Sequence, residues 1–287
     1  APPESTERFR RIGATWRDAA YATDGALLDR IREDRIDILV DLAGAGPDNR
    51  LAVFAASAAP LQVSWLDYFC TTGLEEIDYL ITDDYLAPAG SDAFYSETLL
   101  RLMPGRLCYT PPPAPAPSTE GVEARRLVCL NRFSKINDEV AAAWSAALLR
   151  LPGWSLRLKG TGGDDAGVAN ALRRRFAAHG VDPERLDISG EGPYAEAIDA
   201  YRDAAVALDP FPFSGCATSF DALWMGLPVV TLPLDTMASR QTGSLLSAIG
   251  REDWIADDVG AYVDAIVDVA RDEDGRRRWR AVARERM

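Results

Sequence analysis

The densest group of chemically useful side chains lies between Leu208 and Pro233, in the run LDPFPFSGCATSFDALWMGLPVVTLP. An aliphatic stretch ends at Asp209, a loop rich in proline and glycine follows, and Thr218 or Ser219 stands where a helix would begin. Such a loop offers unpaired backbone amides and the positive end of a helix dipole to an anion, and small hydroxyl residues add donors without blocking its approach. Asp221, about one turn into the helix, suits ribose hydroxyls rather than phosphate. The same residues also describe an ordinary capped helix after a loop.

A second group is LNRFSKI, Leu130 to Ile136, again between a strand end and a helix start. Only Lys135 and Lys159 are lysines among 31 basic residues. An ammonium at the carboxyl edge of a parallel sheet can neutralise a diphosphate where no carboxylate cluster offers to hold Mg²⁺, and Asn131 and Arg132 can add donors. A cation near a helix N-terminus is otherwise disfavoured by the dipole, which gives Lys135 a reason to be functional.

Other candidates read more simply. Gly44 to Pro47 and the DYFCTTG segment, Asp67 to Gly73, read as turns. Gly160, Gly162 and Gly163 lack the spacing of a phosphate loop, and the acid pairs Asp83 with Asp84 and Asp164 with Asp165 lack that of a metal site and read as exposed loop residues. His179, the one histidine, ends a helix beside Gly180, where an imidazolium is favourable. Four widely spaced cysteines without CxxC exclude a zinc ribbon and fit a reducing compartment.

Those loops need a parallel sheet wrapped by helices, and the pattern supplies one. Before a proline-rich run at residues 111–117 the spacing predicts helix 24–34, strand 36–42, a helical stretch near 50–58, and strands 63–66 and 79–82, with residues 86–110 loop-rich. After it come strands 127–130, 155–159, 186–189, 206–209 and 228–232. Between these lie helices near 138–150, 167–179, 194–204, 218–225 and 237–249, with a last helical region from residue 260. This predicts an α/β chain of two Rossmann-like doubly wound domains, residues 1–117 and 118–287, the first lacking its initial strands, with a nucleotide-linked substrate between them.

Composition narrows the partners. The 287 residues carry 44 acidic against 31 basic side chains, a net charge of −13, and 47% are hydrophobic. That is ordinary globular material, with no clustered basic face for nucleic acid or an anionic membrane. No apolar run reaches the ~18 residues of a membrane span. The expected protein is soluble and cytoplasmic, and the chain reads as a piece of a longer one.

Taken in order, DILVDLAG, APLQVSWLDY, TTGLEEIDYLITD, DAFYSETLLRL, LNRFSKI, PERLDISG and DALWMGLPVVTLP resemble the catalytic region of protein O-linked N-acetylglucosamine transferases and their bacterial relatives over nearly the whole chain. The resemblance implies a GT-B fold, a UDP-N-acetylglucosamine donor, inverting transfer without a metal or other cofactor, a protein or peptide acceptor, and tetratricopeptide repeats upstream. It also implies that Lys135 acts on the donor diphosphate and that Arg132 faces the nucleotide. On the same resemblance, Cys216, Ala217 and Thr218 would form the phosphate-binding helix start, Asp221 would hold the ribose, and Glu191 and Gly192 would lie near the uracil. Donor side chains frequent in that family are replaced at Ala45, Cys70, Ala197 and Cys216. Two alternatives stay open: a nucleotide-binding descendant impaired in catalysis, and a GT-B enzyme with a small-molecule acceptor.

Overall fold

The computed structural model describes residues 7, 9–111, 114, 117 and 123–287. It divides into two compact units, residues 1–81 with 93–99, and residues 82–92 with 100–287. The expected boundary at residue 117 borders residues 118–122, which lie outside the described set, as does most of the proline run.

In the first unit, α1 (Asp24–Glu33) starts where the Thr23 hydroxyl accepts the Ala26 amide at 3.2 Å. Strand β1 (Ile38–Asp41), helix α2 (Leu51–Phe54), β2 (Leu61–Ser64), β3 (Tyr79–Thr82) and β4 (Thr98–Arg101) follow, and the sheet runs β1-β2-β3-β4. Ile38 pairs with Leu61 and Val63 with Tyr79, both in parallel register. The ends of β3 and β4, Thr82 and residues 100–101, group with the second unit. Strand β2 begins two residues earlier than the expected 63–66 and ends sooner, because Leu66 takes φ +85°, outside strand geometry. Strand β4 falls inside the stretch read as loop. Only Leu99 of its four residues is buried, so no alternation marks it. The core holds Val53, Phe54, Val63, Ile77 and Leu80. Gln62 is buried among them because its amide donates to Phe54 and Glu76 carbonyls at 2.9 and 2.6 Å.

The second unit is a five-stranded parallel sheet of β5 (Arg126–Cys129), β6 (Ser155–Lys159), β7 (Leu186–Ser189), β8 (Val206–Leu208) and β9 (Val229–Val230), ordered β7-β6-β5-β8-β9. Its helices are α3 (Asp138–Leu149), α4 (Ala166–Ala178), α5 (Tyr194–Asp199), α6 (Ala217–Trp224), α7 (Gln241–Ala248), α8 (Val259–Arg271) and α9 (Glu273–Arg286). Side chains alternate across the sheet, so Leu127 and Cys129 join one core with Trp144, Phe176 and Tyr262, while Val128 joins another with Phe220, Leu223 and Trp279. That places an apolar layer on each face, as a doubly wound sheet requires.

Three expected helices differ from the pattern. Helix α5 stops at Asp199, where Arg157 binds the Ala200 carbonyl at 3.1 Å and pairs with Asp203. The 237–249 helix is a 3₁₀ turn, Met237–Ser239, followed by α7. The last helical region is broken at Asp272, whose carboxylate caps the Gly275 amide of α9 at 2.8 Å. No described helix is long and apolar enough to cross a membrane.

Candidate nucleotide site

The strand order reverses between β5 and β8, and in open α/β sheets ligands bind beyond the carboxyl ends of the strands at such a point. Both loops singled out from the sequence begin there. After β5 the chain passes Asn131 and Arg132 into a 3₁₀ turn, Phe133–Lys135, and Asn137 then caps α3 by accepting the Val140 amide at 2.9 Å. The tight turn points Lys135 back across the crevice. Its Nζ donates to Asn131 Oδ1 at 3.1 Å and to the Ser214 carbonyl at 2.7 Å, 4.2 Å from the centre of the Phe213 ring. Asn131 thus spends its side-chain oxygen on Lys135, while its Nδ2 donates to Cys129 Sγ at 3.7 Å. An ammonium has three N–H bonds, so one remains for a ligand. Burial lowers the lysine's pKa, and buried Asp209 works against that shift.

After β8, Asp209 is sealed inside the unit, 2% exposed. Its carboxylate accepts the Gly215 amide at 2.5 Å and the Thr231 hydroxyl at 2.6 Å, and burial pushes its pKa up to about 6. This anchors the loop before α6. A Cβ at Gly215 would lie 2.7 Å from both the Thr218 and Ser219 hydroxyl oxygens, so any larger residue would make those two side chains shift. Cys216 occupies the N-cap position of α6 without a side-chain cap bond, and no described group accepts the Ala217 or Thr218 amide. Two donors at the positive end of the helix thus face the crevice beside Lys135. The Thr218 hydroxyl donates to Asn131 at 3.4 Å, joining the two loops.

One turn into α6, Asp221 is 7% exposed, and its Oδ1 accepts from Tyr109 at 2.7 Å and from Tyr194 at 2.6 Å. Burial raises the pKa of this carboxyl, and the two phenols pull it back. Tyr109 is held by a parallel stack on Phe220, ring centres 4.7 Å apart.

Lys135, Thr218 and Cys216 thus share one corner, and Asp221 lies on the same helix. Glu191 and Gly192 are exposed in the β7–α5 loop, where Glu191 accepts from Thr161, and no hydrogen bond ties them to that corner. Arg132 is exposed, its charge opposing that of Lys135. Ser214, Tyr109 and Tyr194 escaped sequence reasoning. Ser214 acts through its carbonyl and the tyrosines are brought in from distant loops, so no spacing marks them.

The bypassed candidates resolve as scaffolding, with one correction. Gly44 turns at φ +51°, Asp165 caps α4, and His179 ends that helix 3.3 Å from Asp138. Gly163 is needed because a Cβ would lie 1.9 Å from the Ser189 carbonyl oxygen. Asp83, expected to be exposed, is buried and accepts from the Leu86 and Arg106 amides and the Ser244 hydroxyl at 2.8, 3.2 and 2.8 Å. Arg106 and Ser244 come from distant segments, which local spacing does not reveal. Among the described residues no three His, Cys, Asp or Glu side chains cluster to hold a metal ion.

A parallel sheet with its crevice at the strand-order reversal, on a chain with a second parallel-sheet unit, defines the GT-B class of glycosyltransferase folds. The chain matches glycosyl transferase family 41 over residues 18–107 and 123–287, and it belongs to that family. It is 32% identical over 299 residues to the probable UDP-N-acetylglucosamine–peptide N-acetylglucosaminyltransferase SPINDLY of Solanum lycopersicum, covering 98% of this chain and 31% of the relative. To the SEC protein of Arabidopsis thaliana, which carries the same probable activity in its name, it is 31% identical over 86% of this chain and 26% of the relative. A mutant O-GlcNAc transferase of Thermobaculum terrenum superposes with a TM-score of 0.93 at 40% identity, over 98% of this chain and 54% of that one. TarM, at 13% identity and a TM-score of 0.61 over 91% of this chain and 54% of its own, shares the fold alone. The chain thus spans about a third of the curated relatives and about half of the solved one.

Proposed function

We propose that the chain belongs to an inverting, metal-independent glycosyltransferase that moves N-acetylglucosamine from UDP-N-acetylglucosamine to Ser or Thr hydroxyls of proteins in the cytoplasm. The observation that carries this reading is the Lys135 ammonium, fixed by Asn131 and Ser214 beside the open amides of Ala217 and Thr218. In the transfer, an acceptor hydroxyl attacks the anomeric carbon as its bond to the diphosphate oxygen breaks. Negative charge then gathers on the departing diphosphate, which is where donors held in advance lower the barrier most. Asp221 receives ribose hydroxyls, and Arg132, Glu191 and Gly192 flank the nucleotide. Relatives named for UDP-N-acetylglucosamine–peptide transfer support the classes of donor and acceptor. Four widely spaced cysteines fit a reducing compartment.

Titration calorimetry tests the donor role. Lys135→Ala should weaken UDP by about ten- to a hundredfold, the worth of a charge-assisted hydrogen bond, while leaving uridine nearly unchanged. Equal weakening of both ligands would refute the diphosphate role. The side chains of Ala45, Cys70, Ala197 and Cys216 favour a second reading, a descendant that binds nucleotide without transferring sugar. UDP binding without transfer from UDP-N-acetylglucosamine, UDP-glucose or GDP-fucose in the full-length protein would establish it.

A further inference from the structure

The Asp221 carboxylate is used unevenly. Both phenols donate to Oδ1, at 2.7 Å from Tyr109 and 2.6 Å from Tyr194, so the two lone pairs of that oxygen are filled. No described residue donates to Oδ2, yet it is not among the unsatisfied atoms sealed from solvent. The phenols come from different segments, and their hydroxyls are also within hydrogen-bonding reach of each other. Tyr109 reaches in from the segment after β4, its ring stacked on Phe220 of α6. Tyr194 opens α5 and is 52% exposed, and its hydroxyl donates to the carboxylate beside that of Tyr109. A carboxylate held at one oxygen by donors from two different segments cannot turn about its χ2 bond without breaking both contacts, so the free oxygen keeps one orientation.

We propose that Tyr109 and Tyr194 are positioning residues which lock Asp221 so that Oδ2 stays presented to the vicinal hydroxyls of a nucleotide ribose. This rests on the donor-site reading above, and it adds that discrimination for a ribose over a deoxyribose depends on two tyrosines that need not touch the ligand. An acceptor oriented before the ligand arrives loses less freedom on binding than one that must be ordered by it. A site built around a substrate hydroxyl also rejects the analogue lacking it, because its own polar group is left unpaired.

Tyr109→Phe, Tyr194→Phe and the double variant keep the rings and remove only the donors. Calorimetry with UDP and 2′,3′-dideoxy-UDP on each, with Asp221→Asn as the reference, reads the effect directly. The wild-type chain should bind UDP at least about tenfold more tightly than the dideoxy analogue. Each single variant should reduce that ratio severalfold and the double variant should bring it close to that of Asp221→Asn, while affinity for the analogue changes little. Equal weakening of both ligands would mean that the tyrosines only support the fold, and would overturn the proposal. So would tighter UDP binding by Tyr194→Phe, which would make the phenol a competitor for the carboxylate. Wild-type binding of UDP with no preference over the analogue would refute ribose recognition while leaving the diphosphate site standing. Failure of the wild type to bind either ligand would remove the donor reading and this proposal together.

Discussion

Asp209 is the residue whose ionisation state matters most to the folded chain. Its pKa of about 6 lies above the ordinary carboxyl value of 3.8, because burial penalises the charge more than Thr231, Gly215 and Lys135 reward it. The native state therefore binds this proton more tightly than the unfolded one. The resulting stability is complete below about pH 4 and is lost as pH rises through 6. About two pH units correspond to roughly 3 kcal/mol. Urea unfolding from pH 4 to 7 should show the wild type losing about that amount relative to Asp209→Asn, which has no such proton to release. Parallel profiles for the two proteins would show that Asp209 keeps one protonation state throughout.

The elements depend on a few close approaches. The β6–α4 loop sits so near the end of β7 that an added Cβ at Gly163 would lie 1.9 Å from the Ser189 carbonyl oxygen. A backbone atom cannot swing aside as a flexible side chain can, so Gly163→Ala should destabilise the second unit by about 1–3 kcal/mol. Gly25, in the first turn of α1, has nothing within 4 Å of the same added atom. There Gly25→Ala should stabilise by up to about 1 kcal/mol through helix propensity. Chemical denaturation of both variants checks the opposite signs, and a neutral Gly163→Ala would mean that the loop shifts freely.

Across the whole molecule, residues 82–92 and 100–110 precede the proline run yet belong to the second unit. Asp83 bonds Ser244 at 2.8 Å, Arg106 bonds Gln241 at 3.0 Å and Tyr109 bonds Asp221 at 2.7 Å. A protease site inserted between residues 110 and 123 and then cut should therefore leave the two fragments associated. The two fragments should elute together on gel filtration, held by those buried polar contacts. Separation of the fragments would refute the anchoring role of residues 82–92 and 100–110.

By itself the sequence determined the alternation of strands and helices, the parallel character of the second sheet, and Lys135 and Thr218 as neighbours at its carboxyl edge. Each follows from local rules: aliphatic runs too short for helices, loops between strand ends and helix starts, and a lysine where arginine is otherwise the rule. It could not mark β4, whose single buried Leu99 leaves no period, or the shift of β2, imposed by one backbone angle at Leu66. Nor could it find that Asp83 is buried, that Asn131 serves Lys135, or that Tyr109 and Tyr194 meet on one oxygen of Asp221. Tyr109 is 112 residues from Asp221, and Tyr194 is 27. Periodicity records which face of an element is buried, but hydrogen bonds between loops depend on where the sheet carries their ends, and only the tertiary structure decides that.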